Sequence, residues 1–406
     1  MNQYETYLQE NMPTYLNMLQ QMVAINSFTA NPDGVNALGE LTAQQFAPLG
    51  FSSEMIQSTN PDYGKHLVLT KQGKSGRKIG MVSHLDTVFP PEEEIRNDFH
   101  WREEGDRIYG PGTVDIKGGT IVMFMMLDAI HKFAPELYDD VTWVLLLDAA
   151  EETDGQDFGE ICLDRLEGTE TLGCLIFEGG ARFQNKFKVV VARKGMAVFE
   201  IEVEGKASHA GSSHPNGANA IVQLAETIQK VAAVTDYDQD ITVNVGTVSG
   251  GTVTNRVPHQ AEAKLEMRTF KPDVYDTAVS DILSHGGAGS VQTQSGDFVC
   301  QVSITQIRKT KPWPRNAPTD KLFAIWKEAG EELGFEIYEE ERGGLSDGNY
   351  FWDRLPTVDG LGPSGGSAHC SERSEDGSKE QEFCDVPSFV PKALLNITAV
   401  LKLINA

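Results

Sequence analysis

Positive charge is what this 406-residue chain has little of: 34 Lys and Arg stand against 59 Asp and Glu, for a formal net charge of −25. That shortage disfavours a nucleic-acid partner, because a polyanion is gripped by clustered Lys and Arg that release its counterions. An anionic membrane surface would repel the same surplus of acid, and the substrate is expected to be small, or neutral where it meets the surface. Long hydrophobic runs are also missing. Apolar stretches such as Thr120 to Leu127 and Val141 to Leu147 stop far short of the roughly 20 residues that span a bilayer, so no membrane contact is expected. The first residues, Met1 to Thr6, have neither the basic start nor the apolar stretch of a secretory signal, which points to a cytoplasmic protein. The five cysteines, Cys162, Cys174, Cys300, Cys370 and Cys384, are scattered and never form a CxxC pair, so reduced thiols are expected.

What is present is a globular composition. At 40% hydrophobic and 8% aromatic residues the chain is too apolar for a disordered acidic protein, and at roughly 150 residues per domain its length suggests two or three domains. With no internal repeat, boundaries follow changes of hydrophobic period. Up to about residue 185, helical stripes (Leu16, Leu19, Val23; Lys117 to Phe133) alternate with strand-like runs at His66 to Thr70, Lys78 to Ser83, Val141 to Leu147 and Gly173 to Phe177. This alternation predicts an α/β fold, a mostly parallel sheet with helices on both faces. From residue 187 the period changes: Phe199, Ile201 and Val203 alternate with glutamates, the mark of a strand with one wet face. A helix through Ile221, Leu224, Ile228 and Val231 follows, then strands near Ile241 to Val248, Ala261 to Arg268 and Phe298 to Thr305, with a helix near Val274 to Leu283. Residues 187–310 therefore read as an inserted α+β domain with a small open sheet. Residues 1–186 and 311–406, the latter ending in the helix Val390 to Ile404, form one discontinuous domain.

Chemistry-bearing residues stand where the apolar strands end. Lys78 to Ser83 runs into His84-Leu85-Asp86, Val141 to Leu147 into Asp148-Ala149-Ala150-Glu151-Glu152, and Leu175 to Phe177 into Glu178. The carboxyl ends of strands in an open α/β sheet are where ligands bind. Singly, each has an ordinary reading: a histidine bonded to a nearby carboxylate, or an acidic helix start favoured by the helix dipole. Together they differ, because adjacent carboxylates after a buried strand repel each other and resist burial. A divalent metal is the simplest positive partner. Two glycine-rich segments add an acid and a histidine, Asp115 in GPGTVDIKGG and His369 at the end of GLGPSGGSAH.

The ordered set HLDTV, GPGTVDIKGG, AAEE, FEGG, KASHAG and GLGPSGGSAH resembles the co-catalytic dizinc family of glutamate carboxypeptidase, aminoacylase, acetylornithine deacetylase and succinyl-diaminopimelate desuccinylase, over nearly the whole chain. The resemblance implies two Zn2+ per subunit, with Co2+ or Mn2+ as alternatives, since N/O ligands do not select sharply. His84 and Glu178 would bind one ion, Glu152 and His369 the other, and Asp115 would bridge them. Asp86 would hold the other nitrogen of His84, and Glu151 would be the general base. The inserted domain corresponds to a lid and dimerisation domain, so a homodimer is implied, with His209 reaching the partner's active site to stabilise an oxyanion. Locally, His209 also reads as a loop histidine capping the segment after it. Asn255 and Arg268 match substrate-binding residues, although an Arg closing a strand is often a surface ion pair. His214 and His259 receive no role.

The chain departs from that pattern in four places. Ala150 replaces an Asp before the paired glutamates, and Thr153 to Phe158 replaces a short Gly-Ser turn. Lys311-Pro312-Trp313-Pro314-Arg315 stands where some glutamate-specific relatives carry Arg-Pro, and the acidic stretch Ser371 to Glu382 reads as a solvated loop. The expected activity is cleavage of an amide bond by a carboxypeptidase acting on a small peptide or N-acyl amino acid. An N-acetyl or N-succinyl amino-acid deacylase is the alternative within the same chemistry, and a non-catalytic metal- or amino-acid-binding protein the alternative outside it.

Overall fold

The structure, a computed structural model, describes residues 3–406. Its main sheet has six strands, β1 (Ser52–Gln57), β2 (Lys65–Lys71), β3 (Lys78–His84), β4 (Thr142–Asp148), β5 (Thr171–Ile176) and β6 (Thr357–Val358), in the order β1-β2-β4-β3-β5-β6. The ladders β4/β3, β3/β5 and β5/β6 are parallel. The two outer ladders, β1/β2 and β2/β4, are antiparallel, so the predicted parallel sheet carries a reversed edge. All seven residues of β4 are buried, which is why they are apolar without alternation.

Alternation along β3 shows why helices lie on both faces. Gly80 meets Leu166 of the helix Gln156–Leu166, whereas the Ser83 hydroxyl bonds to Thr120 of the helix Lys117–Phe133 at 2.7 Å. Residues three apart on a strand point to opposite sides. The helix Lys117–Phe133 is buried nearly all round, between the sheet and the helices Gln3–Val23 and Phe389–Asn405. The segment Val386–Asn405 is long and apolar enough to cross a membrane by length and composition, with a mean hydropathy of 1.3 in its apolar window, although no unbroken apolar run marks it. Of that window 67% is buried, and the helix packs against the helices Lys117–Phe133 and Ala317–Leu333, as a core helix does.

The described residues divide into two compact units. One comprises residues up to Val191 with Arg315–Glu341 and Ser346–Ala406; the other comprises Ala192–Pro314 and Arg342–Leu345. The change of unit falls after residue 191 rather than 186 because the strand Lys186–Arg193 continues the first unit, pairing with Arg182–Phe183 and Glu336–Arg342 in a three-stranded sheet. The second unit is a five-stranded antiparallel sheet in the order Thr242–Gly250, Gln260–Thr269, Gly195–Glu204, Val299–Thr310, Gly287–Gln292. Its core joins Phe199, Ile201 and Val203 to Leu224 and Val231 of the helix Ala220–Ala232 and to Ile282 of the helix Pro272–Ser284. The strand Gly287–Gln292 was not anticipated; two of its six residues are Gly and only Val291 among them is β-branched and apolar.

Close approach to the sheet fixes one residue type. A Cβ on Gly119 would lie 1.9 Å from the Phe177 carbonyl oxygen, at the chain segment that follows β5. Gly119→Ala is expected to destabilise the protein by about 1–3 kcal/mol, the usual cost of overpacking, read as a lower thermal midpoint; an unchanged midpoint would show that the helix can shift freely.

Candidate metal centre

Three adjacent strand ends deliver the site. His84 is the last residue of β3 and pairs in the ladder with Asp148, the last of β4; Glu151 and Glu152 follow three and four residues later, and Glu178 follows β5. Asp115 comes from the turn before the helix Lys117–Phe133, where Gly112 holds φ +78°, in the left-handed region that glycine tolerates. His369 also has a left-handed backbone, φ +65°, a strained setting for a non-glycine residue and one found most often at functional sites.

Asp115 is the common point. Its Oδ1 lies 3.1 Å from His84 Nε2 and its Oδ2 lies 3.2 Å from His369 Nε2. His369 Nε2 is also 3.2 Å from Glu152 Oε2, and His84 Nε2 is 3.8 Å from Glu178 Oε1. Two ligands about 2.0–2.1 Å from one zinc at a tetrahedral angle lie roughly 3.3 Å apart, so these donors are spaced as shared ligands of cations would be. His84, Asp115 and Glu152 each place a ligand atom within 4.8 Å of the others, close enough to serve one metal centre. The donor set of imidazole and carboxylate fits a divalent metal.

Asp86 meets the other nitrogen of His84, chiefly through its main chain. The His84 Nδ1–H points at the Asp86 main-chain oxygen (2.9 Å), with the carboxylate at 3.4 Å. That bond leaves Nε2 as the ligand atom. The buried Asp86 carboxylate also accepts the main-chain N–H of Glu151 (3.2 Å) and of Glu152 (3.3 Å) and the Thr29 hydroxyl (2.6 Å). It thereby fixes the segment that carries both glutamates.

Electrostatics at the site demand positive charge. Burial pushes the Glu151 carboxyl well up, with Glu178, Glu152 and Asp115 adding to the rise and His84 opposing it. Burial also raises Glu152, although His369 pulls it back. Asp115 is held well below the usual carboxylate range: burial acts upward, but hydrogen bonds from His369 and His84 outweigh it. His369 is correspondingly pushed up to about 11 by Asp115 and Glu152.

Two groups of functional residues escaped the sequence reading. Buried His66, from β2, links Asp148 (Nδ1 to Oδ1, 3.0 Å) to Asp157 (Nε2 to Oδ2, 3.2 Å). Asp148 also accepts the Ala150 N–H at 2.8 Å, so a carboxylate two residues upstream serves the backbone beside the residue that is Asp in relatives. Glu382 closes the stretch expected to be a solvated loop, yet it is 0% exposed, as is Gln381. That correction has a physical cause: Glu382 Oε1 accepts the N–H groups of Val114 and Asp115, a use for an acid that no periodicity reveals. Burial raises Glu382 to about 8, and burial lowers Lys117, which lies in its field, to about 8.

The second unit holds the other three candidates. His209 is exposed, and its Nδ1 accepts the N–H groups of Gly211 (3.1 Å) and Ser212 (3.0 Å), so it does cap its own loop. Those two bonds assign the proton to Nε2, which makes that nitrogen a donor. Asn255, also exposed, is brought beside it: its carbonyl accepts the Ala210 N–H at 3.0 Å. Arg268 is not free to clamp a substrate in this arrangement. Its Nε and Nη2 meet both oxygens of Glu266 at 3.0 and 3.1 Å, and Nη1 donates to the Gly343 carbonyl at 2.9 Å.

His66 sets a pH dependence. Burial disfavours its charged form, but bonds to Asp148 and Asp157 prevail and raise it from 6.5 to about 9. A folded-state value above the unfolded one means stabilisation that is complete below about pH 6.5 and is lost as pH rises through about 9. The stability gap between the wild-type protein and His66→Gln, measured by urea unfolding at fixed metal content, should shrink across that range; a constant gap would mean that folded His66 is neutral throughout.

Known proteins resemble the chain over most of its length. The model of peptidase family M20/M25/M40 matches residues 80–382, a span that contains His84, Asp115, Glu151, Glu152, Glu178 and His369. Carboxypeptidase G2 of Pseudomonas sp. (strain RS-16) is 26% identical over 388 residues, covering 95% of this chain and 88% of that protein. Acetylornithine deacetylase of Pectobacterium atrosepticum is 25% identical over 335 residues, covering 78% and 82%. The fold is that of aminopeptidase PepT from Bacillus cereus, at a TM-score of 0.76 and 20% identity over 98% of this chain and 99% of that one. A family match of this extent, lying over a donor set of this kind, makes the chain a member of the peptidase family M20/M25/M40 and a metal-dependent hydrolytic enzyme.

Proposed function

We propose that this hydrolase cleaves the amide bond that joins a C-terminal amino acid to a peptide or N-acyl group, as a glutamate carboxypeptidase does, using two zinc ions per subunit and acting as a homodimer. The observation that carries the reading is Asp115, which offers one oxygen to each histidine while Glu151 stands beside the set, taking part in none of those contacts. His84 and Glu178 would hold one ion, Glu152 and His369 the other, with Asp115 between them. When bound, the ions supply polarisation of the amide carbonyl and a lowered pKa for water.

The residues of the chain do the rest. Glu151 takes a proton from the attacking water and later gives it to the departing amine, so its carboxyl cycles without forming a bond to substrate. Burial, with Glu178, Glu152 and Asp115 adding to it, raises the Glu151 carboxyl above the usual carboxylate range. Asp86 keeps Glu151 and Glu152 in place through their main-chain N–H groups. The Nε2–H of His209, fixed by the bonds at Nδ1, is suited to donate to an oxyanion in the partner subunit.

A second reading, an N-acetyl or N-succinyl amino-acid deacylase, draws support from the similarity to acetylornithine deacetylase. A panel of dipeptides, longer peptides and acylated amino acids separates the two: cleavage of acetyl and succinyl compounds alone would overturn the carboxypeptidase reading. A silent metal-binding protein would have no need of Glu151. Glu151→Ala is expected to keep two metal equivalents while turnover falls by about 10² to 10⁴; full activity would remove Glu151 from the mechanism. Mixing His209→Ala with Glu151→Ala should restore part of the activity, as each heterodimer then has one complete site. No recovery, with subunit exchange shown separately, would place His209 outside its partner's chemistry.

A further inference from the structure

Glu382 lies outside every role assigned so far, yet it is tied by four hydrogen bonds to both glycine-rich segments of the metal centre. Its side-chain Oε1 accepts the main-chain N–H of Val114 at 3.0 Å and of Asp115 at 3.2 Å. Its main-chain oxygen accepts the Gly110 N–H at 3.2 Å, at the start of the same turn. Its own N–H donates to the Cys370 carbonyl at 2.7 Å, directly after His369. The strand Phe383–Asp385 that follows is paired with Arg107–Tyr109, which leads into Gly110, so the placement of Glu382 is fixed by a ladder on its far side. A fully buried carboxylate is costly unless it is bonded and its charge met. Here Oε1 carries the bonds, Oε2 has no hydrogen-bond partner among the described residues, and the buried Lys117 ammonium lies in the field of Glu94 and Glu382.

We infer that Glu382 is a positioning residue that locks the Asp115 turn to the His369 loop and so sets the geometry of the donors those two segments contribute. The inference rests on the reading of Asp115 and His369 as metal ligands. It also divides the acidic stretch in two. Cys370 and Glu382 close a neck, reinforced by Gln381 Nε2, which donates to the Ser371 carbonyl at 2.9 Å. Residues 372–380 loop outward from that neck, and residues 373–379 carry no part of the tie.

Binding of Co2+, followed by visible absorption and by bound equivalents, tests this without reference to any substrate. Glu382→Ala is expected to weaken Co2+ binding by about 10- to 100-fold, the usual effect of removing a partner that orients a ligand, to alter the spectrum, and to lower kcat with KM little changed. Glu382→Gln keeps an acceptor oxygen at the same reach and should bind Co2+ within about fivefold of wild type. Glu382→Asp keeps the carboxyl group but withdraws the oxygen by one methylene, and should behave like the Ala variant. Replacing residues 373–379 by a two-glycine link should change neither affinity nor spectrum. Should Glu382→Ala fail to fold, the order of Gln above Asp still decides: Asp binding as well as wild type while Gln does not would mean that an ionisable carboxyl, not reach, matters, and the inference would fall. It would fall equally if folded Glu382→Ala bound Co2+ as tightly as wild type. A wild-type protein that binds no second equivalent would instead overturn the metal reading itself.

Discussion

One carboxylate faced by two imidazoles is the constraint around which the first unit is arranged. Asp115 can meet His84 and His369 at once only if three separate pieces of chain, the end of β3, the turn before the helix Lys117–Phe133 and the loop after Gly366, converge to within hydrogen-bond distance. Much of the local peculiarity serves that convergence. The left-handed backbone of Gly112 and of His369, the bare Gly119 against Phe177, and the burial of Lys117 are all found on these segments. None would be favoured on local grounds alone, and each is tolerated because the surrounding core over-determines it.

Around this centre the chain shows a consistent division between side chains that face inward and those that hold them. His84, Glu152, Glu178 and His369 present donor atoms; Asp86 and Asp148 present oxygens to main-chain N–H groups of the segment 150–152. Main-chain amides are strong donors that cannot be left unpaired in a buried place. An acid that satisfies them fixes the loop more rigidly than apolar packing could, since the bond has direction as well as strength. The cost is a concentration of negative charge in a buried place, seen in the raised Glu151, whereas Asp115 is depressed because His369 and His84 bond to it.

The parts of this arrangement that were legible in the sequence share one property: a sharp break in hydrophobic period. β3, β4 and β5 are apolar runs that end abruptly in His84, Asp148 and Glu178, and the helix Lys117–Phe133 follows its glycine turn without interruption. His66 was not legible because a single polar residue beginning an apolar strand looks like a solvated end, whereas it is buried against two aspartates from distant segments. Glu382 was hidden for the opposite reason, being one acid among many in a polar stretch. The pairing of Arg268 with Glu266 could have been found, since residues two apart on a strand share a face. The unit boundary falls five residues later than expected because the strand Lys186–Arg193, which begins by alternating as Gly195–Glu204 does, continues as a buried apolar run in the first unit.

The parallel ladder of β4, β3 and β5 has a consequence for the spacing of the donor atoms. Neighbouring strands in a sheet stand about 4.8 Å apart, and three of the donors come from neighbouring strands: Glu178 just after β5, His84 at the end of β3, Glu152 just after β4. The width of the donor set is thereby inherited from the backbone pitch of the sheet and only trimmed by side-chain length. Exchanging one donor type for another can retune the chemistry of the set, but the gauge between the strand ends is built into the hydrogen-bonded lattice beneath.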